Sequence, residues 1–94
     1  MKVRWLRIAL ADLDVIFEHI AADNKTAARE TVEHIWNNVK ALAEHPNIGR
    51  SGRVAGTREL VITDSSYIVP YRVRSSEVQI LRVLHAARKW PEKF

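Results

Sequence analysis

The sequence predicts an α+β domain in which a helical hairpin packs on one face of a mostly antiparallel sheet, in the order β-α-α-β-β-β. Three observations carry this reading. Apolar residues recur at helical spacing through the amino-terminal half. All three glycines, with one of the three prolines, gather between His45 and Thr57. Beyond that segment the apolar residues recur with a period of two, which together with the preceding helices defines the class. Ninety-four residues support one domain, 1–94, with a single core.

The first element is short. In "KVRW", Val3 and Trp5 alternate with Lys2 and Arg4, which suits a strand with one wet face. From about Arg7, Leu10, Leu13, Phe17 and Ile20 form a helical stripe, reinforced by Ile16 and Ala21. Asp23-Asn24 breaks it, and Asn24 is placed to cap the next helix. A second stripe runs Ala28, Val32, Ile35, Val39, Leu42, with Trp36 beside it, and ends at Pro46, whose ring cannot continue the ladder. "HPNIGRSGRVAGT" (45–57) reads as a basic loop through Arg50 and Arg53.

"TRELVI" (57–62) then reads as a strand and "TDSS" (63–66) as its turn. "YIVPYRVR" (67–74) sets Tyr67, Val69, Tyr71 and Val73 on one face and Ile68, Pro70, Arg72 and Arg74 on the other. Pro70 marks a ladder interruption, a bulge or an open edge. "SSE" turns the chain again. Val78 to Ala86 forms the last strand, apolar on both faces and therefore central for part of its length.

Composition narrows the function. There is no cysteine, so disulfides and thiolate metal sites are excluded, in keeping with a reducing cytoplasm. No apolar run approaches the roughly 20 residues that cross a bilayer, so no membrane partner is expected. Asp12 and Asp14 interrupt the amino terminus too early for a signal-peptide core. Residues 1–48 hold six Lys/Arg against seven Asp/Glu, and residues 49–94 hold nine against four. The net charge of +4 therefore originates in the second half, which points to an anionic partner there. Solubility alone also explains a basic surface.

Arg50, Arg53, Arg58, Arg72, Arg74, Arg82, Arg88 and Lys89 are the candidates for a concave basic surface on the helix-free side of the sheet. Each also serves to solvate an exposed face. Arg82 stands apart because it interrupts an apolar strand, where a charge requires a partner, either Glu59 or a carboxylate of the helices. His85 ends that strand among basic residues and is a candidate acid or base, or a packed histidine bonded to backbone. His19, His34 and His45 have no metal-ligand spacing, and no metal or cofactor is expected. Trp90 with Pro91 either stacks on a base or closes the core at a chain end. Glu59 is the one acid in a strand of the basic half placed to act as a base.

Taken together, "ALADLDVIFEHIAADNKTAA", "HPNIGRSGRVAGTREL", "YIVPYRV" and "VQILRVLHAARKWP" resemble the RelE/ParE superfamily of bacterial toxins over nearly the whole chain. The resemblance implies a curved sheet under a helical hairpin and a toxin of a type II toxin–antitoxin system, cytoplasmic, neutralised by a cognate antitoxin and without a small-molecule substrate. It implies one of two targets. ParE-type members inhibit DNA gyrase and need no hydrolytic site. RelE-type members are endoribonucleases that cut mRNA on the ribosome, for which Glu59, Arg58, Arg82 and His85 are the matching candidates here. Glu59 and Val61 stand where the RelE-type pattern carries lysines, and Ile68 follows Tyr67 where that pattern carries arginine. "YRV" and "ILRVLH" are closer to ParE-type sequences, so the resemblance leans to gyrase. A toxin fold that only binds its antitoxin is the third expectation.

Overall fold

The computed structural model describes residues 1–94. Strand β1 (Lys2–Trp5) leads into helices α1 (Arg7–Ala21) and α2 (Lys25–Lys40), and a 3-10 turn (Ala41–Ala43) ends the hairpin. Then follow β2 (Arg50–Ser51), β3 (Arg58–Val61), β4 (Tyr67–Arg74), β5 (Glu77–Ile80) and β6 (Leu84–His85). The strands lie in the order β1-β5-β4-β3-β2, with β6 also paired to β4. Only β1 and β5 run parallel; the remaining pairs are antiparallel. Both helices pack on one face, as the alternation predicts.

Local chemistry sets the boundaries. Asn24 is extended, and its Oδ1 accepts the Ala27 N–H at 3.0 Å, so it caps α2 as its position predicts. At the end of β1, the Leu6 N–H donates to Ile80 O at 3.0 Å and α1 starts at once. Trp5 and Trp36 stack at 4.7 Å and 8°, which ties β1 to α2. The turn between β4 and β5 has only two residues, Ser75 and Ser76, with φ of 55° and 59°.

The core lies between the helices and the sheet. Ala9, Leu13 and Ile16 of α1 and Ile35 and Val39 of α2 meet Leu60, Val69, Tyr71, Val78 and Ile80. Burying each large apolar side chain stabilises the fold by about 1.5–3 kcal/mol. Tyr71 is fully buried, and its hydroxyl donates to Pro46 O at 2.7 Å and accepts the Gly49 N–H at 2.9 Å. This pins the segment after the hairpin to the sheet. Gly49 is required by that approach, since a Cβ there would stand 2.6 Å from the tyrosine ring.

Three expectations are corrected. The helical period of α1 is as predicted, but its phase is rotated. Leu10 and Phe17 are 41% and 37% exposed, and the small Ala9 takes the inward position with Leu13 and Ile16. Within the basic loop, Arg50 and Ser51 pair with Glu59 and Arg58, so the segment 45–57 contains a strand. The run from Val78 to Ala86 is two strands. Ile80 lies opposite Tyr71 and Leu84 opposite Ile68, so three residues, 81–83, face two, Val69 and Pro70. That is a bulge. Pro70 O accepts the Leu81 N–H at 3.0 Å and the Arg82 N–H at 3.5 Å. Pro70 has no N–H to offer, and the bulge across from it requires none.

Candidate functional site

Strand register defines the helix-free face. It carries Lys2 and Arg4 from β1, Glu77 and Gln79 from β5, Ile68, Pro70, Arg72 and Arg74 from β4, Glu59 from β3 and Arg50 from β2. On one side, Arg72 Nε donates to Gln79 Oε1 at 2.8 Å and Gln79 Nε2 donates to Glu77 Oε1 at 2.9 Å. Arg4 Nε reaches the same Glu77 oxygen at 3.3 Å. Arg74 is exposed beside them. Counting Arg53, six cations share this face with only Glu59 and Glu77, which gives it a positive field.

On the other side, Glu59 is 2% exposed and fully engaged. Arg50 Nε and Nη2 lie 3.1 and 3.0 Å from its Oε1, while its Oε2 accepts the Arg53 N–H at 2.8 Å. The Arg53 guanidinium lies 3.6 Å from the centre of the Trp90 ring, whose Nε1 donates to His85 O at 3.1 Å. The segment after β6 therefore folds back over this face. Glu59 acts here as an anchor for the β2–β3 hairpin, and it has no free lone pair directed at a substrate proton.

The remaining candidates lie elsewhere. Arg58 pairs with Tyr71 on the helix side, and its Nη1 donates to Gly49 O at 2.9 Å and Asn47 O at 3.3 Å, so it holds the loop. Arg82 grips Asp12 of α1 with Nε to Oδ2 at 2.8 Å and Nη2 to Oδ1 at 3.0 Å. Asp12 Oδ2 also takes the Val83 N–H at 2.9 Å. The hydrogen bond to Asp12 raises the guanidinium pKa above its ordinary value, and burial opposes it. These two arginines are removed from the predicted basic surface because they already have partners inside the fold.

His85 lies edge-on to Tyr67 at 5.6 Å, and its Nδ1 accepts the Ala87 N–H at 3.1 Å. It lines a groove between α1 and β6 together with Asp12, Val15, His19 and Arg88, around a cavity of about 200 Å³. Arg88 is therefore on the α1 side, while Lys89 is exposed on the tail. The four nuclease candidates do not converge. Glu59 is sealed on one face, Arg58 and Arg82 are bound on the other, and His85 sits at an edge. Sequence reasoning missed Lys2 and Arg4. Their alternation with Val3 and Trp5 showed that they were wet, but only the place of β1 beside β5 puts them with Arg72.

The comparisons with known proteins agree with this architecture. A family model described as the ParE toxin of the type II toxin–antitoxin system, parDE, matches residues 3–90. Y4kP of Sinorhizobium fredii, named as a toxin, is 47% identical over 91 residues, covering 97% of this chain and 94% of the relative. Toxin RelE2 of Caulobacter vibrioides is 37% identical over 87 residues, covering 93% and 97%. A chain from the structure of the chromosomal ParDE system of P. aeruginosa superposes with a TM-score of 0.83 at 34% identity, over 90% of this chain and 95% of that one. A toxin of such a system has a cognate antitoxin as its partner. This chain belongs to the ParE toxin family of type II toxin–antitoxin systems.

Proposed function

We propose that this toxin inhibits DNA gyrase in the cytoplasm by docking its helix-free sheet face on the enzyme or its DNA complex, with no hydrolytic step of its own. The separation of Glu59, Arg58, Arg82 and His85 carries this reading. Ribonuclease chemistry requires a base, an acid and cations around one phosphate, and here those groups are occupied or face different ways. Docking requires less: a positive face, which exposed Arg74, Lys2 and Arg4 supply with half-buried Arg72 among them.

The likeness to toxin RelE2 supports a second reading, cleavage of mRNA on the ribosome. Purified toxin added to supercoiling and to translation reactions separates the two. Gyrase inhibition with intact mRNA supports the proposal; ribosome-dependent mRNA cleavage overturns it. Arg72→Glu combined with Arg74→Glu reverses two charges and should weaken gyrase inhibition by about tenfold or more, with an unchanged melting temperature. His85→Ala should leave inhibition intact, and loss of toxicity from that change in a folded protein would sink the non-enzymatic account.

A further inference from the structure

We propose that a cleft at the fork where β1 and β5 part binds a small organic carboxylate, its charge on Arg72 and Lys93 and its apolar body against Leu6, Ile8, Leu81 and Phe94. The inference is independent of the toxin's target. Strand pairing creates the cleft. β1 and β5 run side by side as far as Trp5 and Ile80. One residue later they diverge: Leu6 leads into α1, and Leu81 enters the bulge. Alternation sets Leu6 and Leu81 on the helix-free side with Arg72, the residue after the Tyr71 that lies opposite Ile80. Ile8 of α1 and the tail residues Lys93 and Phe94 complete a cavity of about 240 Å³, with Arg82 in its wall.

Its polar groups are donors with little to donate to. Arg72 spends Nε on Gln79 Oε1, and both of its Nη groups are without a partner. Lys93 is exposed and makes no ion pair. Arg82 gives Nε and Nη2 to Asp12, so its charge is met, but Nη1 remains as a donor. No Asp or Glu lines this cleft. The groove between α1 and β6 holds Asp12, and a hollow beside α2 holds Glu30 and Asp64.

The walls specify the rest of the ligand. The planar fork of an arginine matches the two oxygens of a carboxylate. Four of the seven lining residues are apolar, and an aryl or short acyl group covers them where inorganic phosphate leaves them wet. Drug-sized molecules fill pockets of roughly 300–1,000 Å³, so the occupant here is smaller. A nucleic-acid backbone carries charge but brings no apolar body. Occupation would neutralise Arg72, one of the cations of the helix-free face.

NMR titration of the purified full-length toxin with octanoate, benzoate and inorganic phosphate tests the site. Both carboxylates should shift the amides of Leu6, Ile8 and Leu81, and octanoate should bind about tenfold or more tighter than phosphate or neutral octanamide. Arg72→Gln and Lys93→Gln should each weaken octanoate about fivefold or more without lowering the melting temperature. Ile8→Ser, an exposed change, should weaken octanoate about fivefold and leave phosphate unaffected. Equal affinities for phosphate and octanoate would reduce the site to the general field of a basic protein and overturn the proposal. So would octanoate binding that survives all three substitutions, which would lie elsewhere, or the absence of shifts with either carboxylate at millimolar concentration.

Discussion

The two faces of the sheet use arginine differently. Toward the helices, Arg82 is locked in a two-point grip on Asp12, and Arg58 is directed at backbone carbonyls of the loop over Tyr71. On the helix-free face, Arg72 has only the neutral amide of Gln79, and Arg74 has no partner. Arg50 and Arg53 stand between these cases, because both hold buried Glu59 while remaining about half exposed. Whether a guanidinium is available to a target depends on what its neighbour offers. One held by a carboxylate in two places belongs to the fold, and one held by an amide keeps its charge for an outside partner.

The sharpest way to break this contrast is Arg82→Ala. It leaves the Asp12 carboxylate, only 16% exposed at its side chain, with the Val83 N–H as its remaining partner. The expected loss is roughly 2–3 kcal/mol, below the cost for a fully buried pair because about a quarter of Arg82 is wet. Thermal unfolding should register a fall of roughly 10 °C or more. Arg72→Ala, by contrast, should change stability by less than about 0.5 kcal/mol. Equal losses from the two changes would erase the distinction between the faces.

How much of this was legible follows from the same residues. Alternation along Tyr67–Arg74 set the strand and both its faces, because a period of two leaves no other arrangement. The phase of α1 was not legible. Leu10 and Phe17 outweigh Ala9 and Ile16 in size, yet close approach to the sheet favours the small residue. Pro70 announced an interruption, but the residues that form the bulge lie inside an apolar run that reads the same on either side. Arg82 signalled that it needed a partner. Asp12 lies 70 residues away, and no local pattern encodes that distance. The candidate site was half visible for the same reason: which arginines share a face depends on strand order, which pairing decides.

A second test works through Tyr71, the buried centre of the helix side. Tyr71→Phe removes the bonds to Pro46 O and from the Gly49 N–H and strands both groups, at a cost of about 2 kcal/mol. It also carries a pH signature. Burial raises the phenol pKa above 10.0, with the Gly49 bond and the Arg58 charge opposing. In the unfolded chain the phenol ionises at its ordinary value, so the folded state holds the proton more tightly. The resulting stability is complete below pH 10 and is lost as pH rises through the folded value. Urea midpoints from pH 8 to pH 11 should therefore show the gap between wild type and Tyr71→Phe narrowing above pH 10. A constant gap would mean that the hydroxyl is not held as described.

The smallest effect provides a control for the bare face. Ser75 and Ser76 span the turn between Arg74 and Glu77 with positive φ at both positions, a geometry that favours glycine at the second. Ser76→Gly should relieve that strain and stabilise the protein by about 0.5–1 kcal/mol, read from the urea midpoint. It alters no charge on either face. Carried in this background, Arg72→Glu with Arg74→Glu should lose gyrase inhibition as fully as it does alone, although the protein now melts higher than wild type. If the added stability restored inhibition, the original loss would have come from unfolding. Arg72 and Arg74 would then be structural, as Arg82 is, and the division between the two faces would disappear.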